Sequence, residues 1–151
     1  MAAILVPAYG EAFLPYTRMV KKVSFGFSSD NDVQMTTTGS FKLFTPSHGV
    51  FIENMILNKI TAFTTGGTIT IGDTDVDGYF LSSDALFSDA GIKNMKHVST
   101  AFGATLPAYI AGRYYSSDAS DTMAIKAIIT TTAPLAGKAY LYIYYFDQGV
   151  V

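Results

Sequence analysis

A chain of 151 residues with 49% hydrophobic and 15% charged residues, a net charge of -2 and no cysteine suits one domain that buries its own core without disulfides or thiolate metals. Two arginines, Arg18 and Arg113, and a slightly acidic balance exclude the basic field that holds a phosphate backbone, so nucleic acid is not expected as a direct ligand. The charged share lies well below the roughly 25% of ordinary soluble domains, which implies that part of the surface is covered by another chain.

In chain order, residues 1–19 carry Pro7, Tyr9, Gly10, Phe13, Pro15 and Tyr16 without a sustained period, which predicts an extended N-terminal arm with aromatic anchors. Residues 20–151 form the folded domain. Val23, Phe25 and Phe27 alternate on one face of a first strand, which the polar stretch Ser28 to Asp32 ends. Phe41 to Phe44 is a second short strand. From Phe51 to Phe63, Ile52, Ile56, Ile60 and Ala62 share one face, with Met55 and Leu57 on the other, as in a central strand covered on both sides.

Gly66-Gly67 predicts a tight turn into Thr68 to Ile71, a hairpin partner of the preceding strand. Asp73 to Gly78 is a further turn and Tyr79 to Leu81 is apolar again. One short helix is predicted from Asp84 to Ala90, with Ser83 as N-cap and Gly91 after its end. Residues 92–107 are weakly patterned. Tyr109 to Tyr115, Met123 to Ile129 and Ala139 to Phe146 read as strands, the last two joined as a hairpin through Pro134 to Gly137. In the final strand Leu141, Ile143 and Tyr145 alternate with Tyr140, Tyr142, Tyr144 and Phe146.

About eight strands at this spacing predict an all-β, single-domain antiparallel β-sandwich or jelly-roll-like barrel. Ten of the twelve acids are Asp, a turn-forming residue, which agrees with β structure. No apolar run approaches the roughly 20 residues of a membrane helix. The opening MAAILVPAYG has no basic start and is broken by Pro7, so neither a membrane partner nor a signal peptide is expected.

Catalytic patterns are sparse. His48 and His97 are far apart and in no metal-type spacing. No nucleophile elbow is present, and the chain reads as a binding protein rather than an enzyme, without a cofactor. The sharpest local motif is Asp73-Thr74-Asp75-Val76-Asp77-Gly78 with Asp84 at the twelfth position. Alternating carboxylates around a glycine turn resemble the start of a calcium loop. The motif follows a strand rather than a helix, and Asp-Gly turns between strands form without any ion. Calcium is the weaker reading. The tyrosines of the last strand suit either a glycan platform or a protein interface, and the interface is favoured because a phenol buries an apolar body with a polar tip.

Three segments carry a resemblance: Lys59 to Asp73, Asp77-Gly78-Tyr79-Phe80, and Ala136 to Tyr145. They resemble small structural proteins of tailed bacteriophages, and more narrowly the capsid cement or decoration proteins of cyanophage-like particles. The resemblance implies a homo-oligomer, a trimer ahead of a dimer, assembled in the host cytoplasm and bound to the major capsid protein on the outer capsid surface. There it would bridge capsomers and stabilise the shell. Tyr9, Phe13 and Tyr16 of the arm, with Tyr142 and Tyr144, are the expected partner contacts. A tail, fibre or baseplate subunit and a carbohydrate-binding module are the alternatives.

Overall fold

The computed structural model describes residues 18–46, 49–63, 67–84, 91–94, 113–115 and 124–147. They form ten strands: β1 (Arg18–Gly26), β2 (Val33–Gln34), β3 (Gly39–Phe44), β4 (Val50–Thr61), β5 (Thr68–Asp73), β6 (Leu81–Asp84), β7 (Gly91–Asn94), β8 (Arg113–Tyr115), β9 (Ile125–Thr130) and β10 (Lys138–Asp147). A six-stranded sheet runs β2-β1-β10-β4-β7, with β8 also on β4, and a four-stranded sheet runs β3-β9-β5-β6.

The antiparallel pairs are nested. β1 pairs β10, β3 pairs β9, β4 pairs β7 and β5 pairs β6. A chain laid out as one long hairpin with its tip at the β5–β6 turn, then rolled up, places these pairs alternately in the two sheets. This order is that of a jelly roll, and the all-β sandwich expected from the alternation is what the structure has.

The core lies between the sheets. Phe25, Leu57, Leu141 and Ile143 of the six-stranded sheet face Ile69, Ile71, Ile125 and Ile129 of the other, all fully or almost fully buried. Phe63 closes one end against Phe25, ring centroids 6.1 Å apart. It also lies against Gly137, whose φ of 111° and lack of a Cβ let the chain pass the ring into β10.

Several local expectations change. β1 starts at Arg18, so Arg18 and Met19 are strand rather than arm. It ends at Gly26, and Phe27 is exposed instead of sharing the buried face of Val23 and Phe25. In β4 the pairing shifts between Ile52 and Asn54 against Tyr144 and Tyr145. The extra residue reverses the alternation, so Ile52 is buried with Met55 and Leu57 while Ile56 lies on the opposite face.

Both predicted hairpins are absent. β5 pairs β6 and β9 rather than β4, and β9 and β10 belong to different sheets. In a jelly roll the connections pass between sheets, so strands adjacent in sequence need not be adjacent in a sheet. Asp84, assigned to a helix start, ends β6 opposite Ile69; the rest of that helix lies outside the described residues, as do the arm to Thr17, His48 and His97.

Candidate functional site

The outer face of the six-stranded sheet is built by the period of its strands. In β10, Ala139, Leu141 and Ile143 point into the core, which sends Tyr140, Tyr142, Tyr144 and Phe146 outward. Their register neighbours on β1 are Ser24, Lys22, Val20 and Arg18, and on β4 they are Asn58, Ile56, Asn54 and Phe51. Ile92 of β7 stands opposite Asn58.

The surface side of an antiparallel sheet is ordinarily polar. Here it carries four half-buried aromatic side chains in one line on β10, joined by Phe51 and Ile56 of β4. Apolar exposure extends to both sides, with Val20 at 53% and Ile92 at 74%. A sheet apolar on both faces has one face more than its own core covers, and exposed apolar patches of this kind are characteristic of interaction surfaces.

Cations decorate the tyrosines. The Lys22 ammonium lies 3.8 Å from the centre of the Tyr140 ring and the Arg18 guanidinium 4.7 Å from that of Tyr144. Arg18 Nε also meets Glu53 Oε2 at 2.8 Å. Each such cation–π contact contributes about 0.5–1 kcal/mol at an exposed site. Their further effect is geometric: they cover ring faces that a stacking sugar would need.

Of the expected contact residues, Tyr142 and Tyr144 both lie on this face. Tyr9, Phe13 and Tyr16 lie outside the described residues. Phe51, Ile56, Val20 and Ile92 were not singled out from the sequence. The two-sided apolar pattern of β4 was the available signal for the first two. The cation–ring contacts depend on β1 lying beside β10, which no local pattern announces.

The aspartate motif resolves differently. Asp73 is completely buried, and its Oδ1 accepts the N–H groups of Asp75 and Val76 at 3.0 and 2.9 Å. Its Oδ2 accepts the Tyr115 hydroxyl at 2.9 Å. Tyr115 is on β8 of the six-stranded sheet and Asp73 ends β5 of the other, so this carboxylate both shapes the turn and ties the sheets together. Asp75 and Asp77 are exposed, and Asp77 forms an ion pair with Lys126 at 2.7 Å.

Asp84 sits opposite Ile69, four strand positions from Asp73, or about 13 Å along β5. Of the quartet Asp73, Asp75, Asp77 and Asp84, the register thus sets Asp84 apart from the turn that holds the other three. Among the described residues, no three acidic or histidine side chains converge on a point where they could hold an ion.

No protein-family profile matches the sequence, and no curated protein matches it. Solved structures do. A chain of the capsid asymmetric unit of cyanophage Pam1 superposes with a TM-score of 0.61 at 12% identity, over 87% of this chain and 85% of that one. A chain of the acidic stable capsid structure of Helicobacter pylori bacteriophage KHP30 superposes with a TM-score of 0.59 at 15% identity, over 89% and 91%. The shared feature is the fold. Both superpositions span nearly the whole length of each chain, so it is the complete jelly roll that is shared and not one sheet or hairpin.

Proposed function

We propose that this chain is a structural component of a bacteriophage capsid, and specifically a cement protein that binds the outside of the head and bridges capsomers. The observation that carries the reading is the outer aromatic face of the six-stranded sheet, on a jelly roll similar end to end to chains of two phage capsid structures. It acts by binding alone. Many copies, each covering an apolar face, clamp a shell through multivalency without any one contact being strong.

The tyrosine face meets the major capsid protein or a neighbouring copy, with Tyr142 and Tyr144 central, in a homo-oligomer for which a trimer is favoured over a dimer. Tyr9, Phe13 and Tyr16 of the arm add contacts to the same partner. A protein surface suits this face better than a glycan, because the Tyr140 and Tyr144 rings already carry Lys22 and Arg18.

The test is co-sedimentation of the purified chain with undecorated heads of its phage. The wild type is expected to pellet with heads. The Tyr142→Ser/Tyr144→Ser variant is expected to stay in the supernatant while keeping a folded circular-dichroism spectrum and a cooperative melt. Undiminished pelleting of a folded double variant would refute the role of this face, and absence of wild-type binding would refute the cement reading.

A further inference from the structure

Among the described residues the six-stranded sheet has an open edge along β1, and one contact fixes its geometry. The Ser24 N–H donates to Asp32 Oδ2 at 2.7 Å, while the Ser24 hydroxyl donates to the same oxygen and accepts the Asp32 N–H. Since β10 lies on the other side of β1, the Ser24 N–H points away from β10. By the period of two, the N–H and C=O groups of Lys22, Val20 and Arg18 point the same way. The Gly26 carbonyl follows the same rule and accepts the Met35 N–H at 2.7 Å.

β2 covers this edge only at Phe25 and Gly26, and Asp32 caps it at Ser24. Among the described residues, no strand pairs the outward edge from Arg18 to Val23. That is six residues, about 20 Å of strand, with Met19 and Val20 exposed along it. β3 is the edge strand of the other sheet, and its residues 42–44 share a groove with residues 21–23 of β1. The groove has a volume of about 470 Å³ and is lined by Lys21, Lys22, Asp32, Lys42, Leu43 and Phe44.

We propose that this edge accepts one added strand from a partner protein, an extended segment with acidic side chains. Backbone groups of Arg18, Val20 and Lys22 would form the ladder, as in peptide recognition by strand addition. Lys21, Lys22 and Lys42 would select the acidic sequence, because among the described residues lining the groove these three cations outnumber its carboxylate, Asp32. The apolar floor of Leu43 and Phe44 takes the intervening side chains. Lysines also discourage indiscriminate edge pairing, so the same residues that admit an acidic strand repel a basic one. This edge adjoins the tyrosine face and shares Arg18, Val20 and Lys22 with it, but it is read through the backbone, and its test does not involve capsids.

The probe is a fluorescein-labelled peptide of about ten residues alternating Val and Asp, titrated with the full-length protein and read by anisotropy. Saturable binding that weakens with added salt is expected, with a Val/Lys peptide at least about tenfold weaker. The Val/Asp peptide N-methylated at alternate positions is expected to lose binding, since it keeps the charges and removes the ladder. Val20→Pro deletes one outward N–H at an edge position where proline is tolerated and is expected to weaken binding about tenfold. Lys21→Glu/Lys42→Glu, both at lysines lining the groove, is expected to reverse the preference between the peptides. No saturable binding, equal binding of acidic and basic peptides, or full binding of the N-methylated peptide would each overturn the proposal.

Discussion

The buried hydrogen bond between Tyr115 and Asp73 is the sharpest test of how the two sheets are held together. Tyr115→Phe removes only the hydroxyl, leaving the ring in place and taking a donor from a fully buried carboxylate. A hydrogen bond to a charged group contributes about 1.5–3 kcal/mol, so a loss of about 2 kcal/mol is expected. Asp73→Ala removes the acceptor of the Tyr115 hydroxyl and of the Asp75 and Val76 N–H groups. Asp75 and Val76 are exposed, so water replaces part of what they lose, and the total cost is about 3–5 kcal/mol. The double variant must cost less than the sum of the two, because both remove the same bond. A coupling of about 1.5–3 kcal/mol follows. Urea unfolding followed by tyrosine fluorescence, with an unchanged m-value, measures all four corners of the cycle. Additivity within about 0.5 kcal/mol would refute the reasoning, since the contact would then contribute nothing specific to the native state.

Other expectations follow from single features. Gly137→Ala places a methyl against the Phe63 ring and backbone at a φ of 111°, and a loss of at least about 2 kcal/mol in urea unfolding is expected. Leu141→Ala and Tyr142→Ser are neighbours on β10 with opposite outcomes. The first empties core space and costs about 2–5 kcal/mol; the second lies on the outer face and costs under about 1.5 kcal/mol in the isolated chain. Equal losses in thermal melts would mean that the inner and outer faces are misassigned.

Asp32 gives a pH dependence of definite sign. The Ser24 N–H and hydroxyl, helped by Lys21 and Lys22, hold its carboxyl below the ordinary 3.8. A depressed carboxylate stabilises the fold at pH above its unfolded value, and that stability disappears as pH falls through the folded value. Asp30 is depressed as well, by the Ser28 hydroxyl first and then by Lys138. Acid titration of the melting temperature should therefore show a decline beginning near pH 4. Asp32→Asn should flatten it, and an identical acid limb in that variant would discount the Ser24 contact.

The alternation written into Val23 to Phe25 and Ala139 to Ile143 determined those strands and the residues buried within them. Side-chain direction in a strand has a period of two, so polarity alone separates Leu141 from Tyr142. The same pattern made Tyr142 and Tyr144 visible as outward-facing residues. Tertiary structure decided what no local pattern encodes. The bulge at Glu53 moved Ile52 to the face of Met55, and the rolled topology sent β5 and β9 away from the neighbours that short glycine-containing turns suggested. It also turned Asp73 inward to Tyr115, forty-two residues distant in sequence. A hydrogen bond over that separation exists only once two sheets are stacked, so an aspartate-rich turn that resembles an ion loop in one dimension becomes, in three, a clasp between sheets.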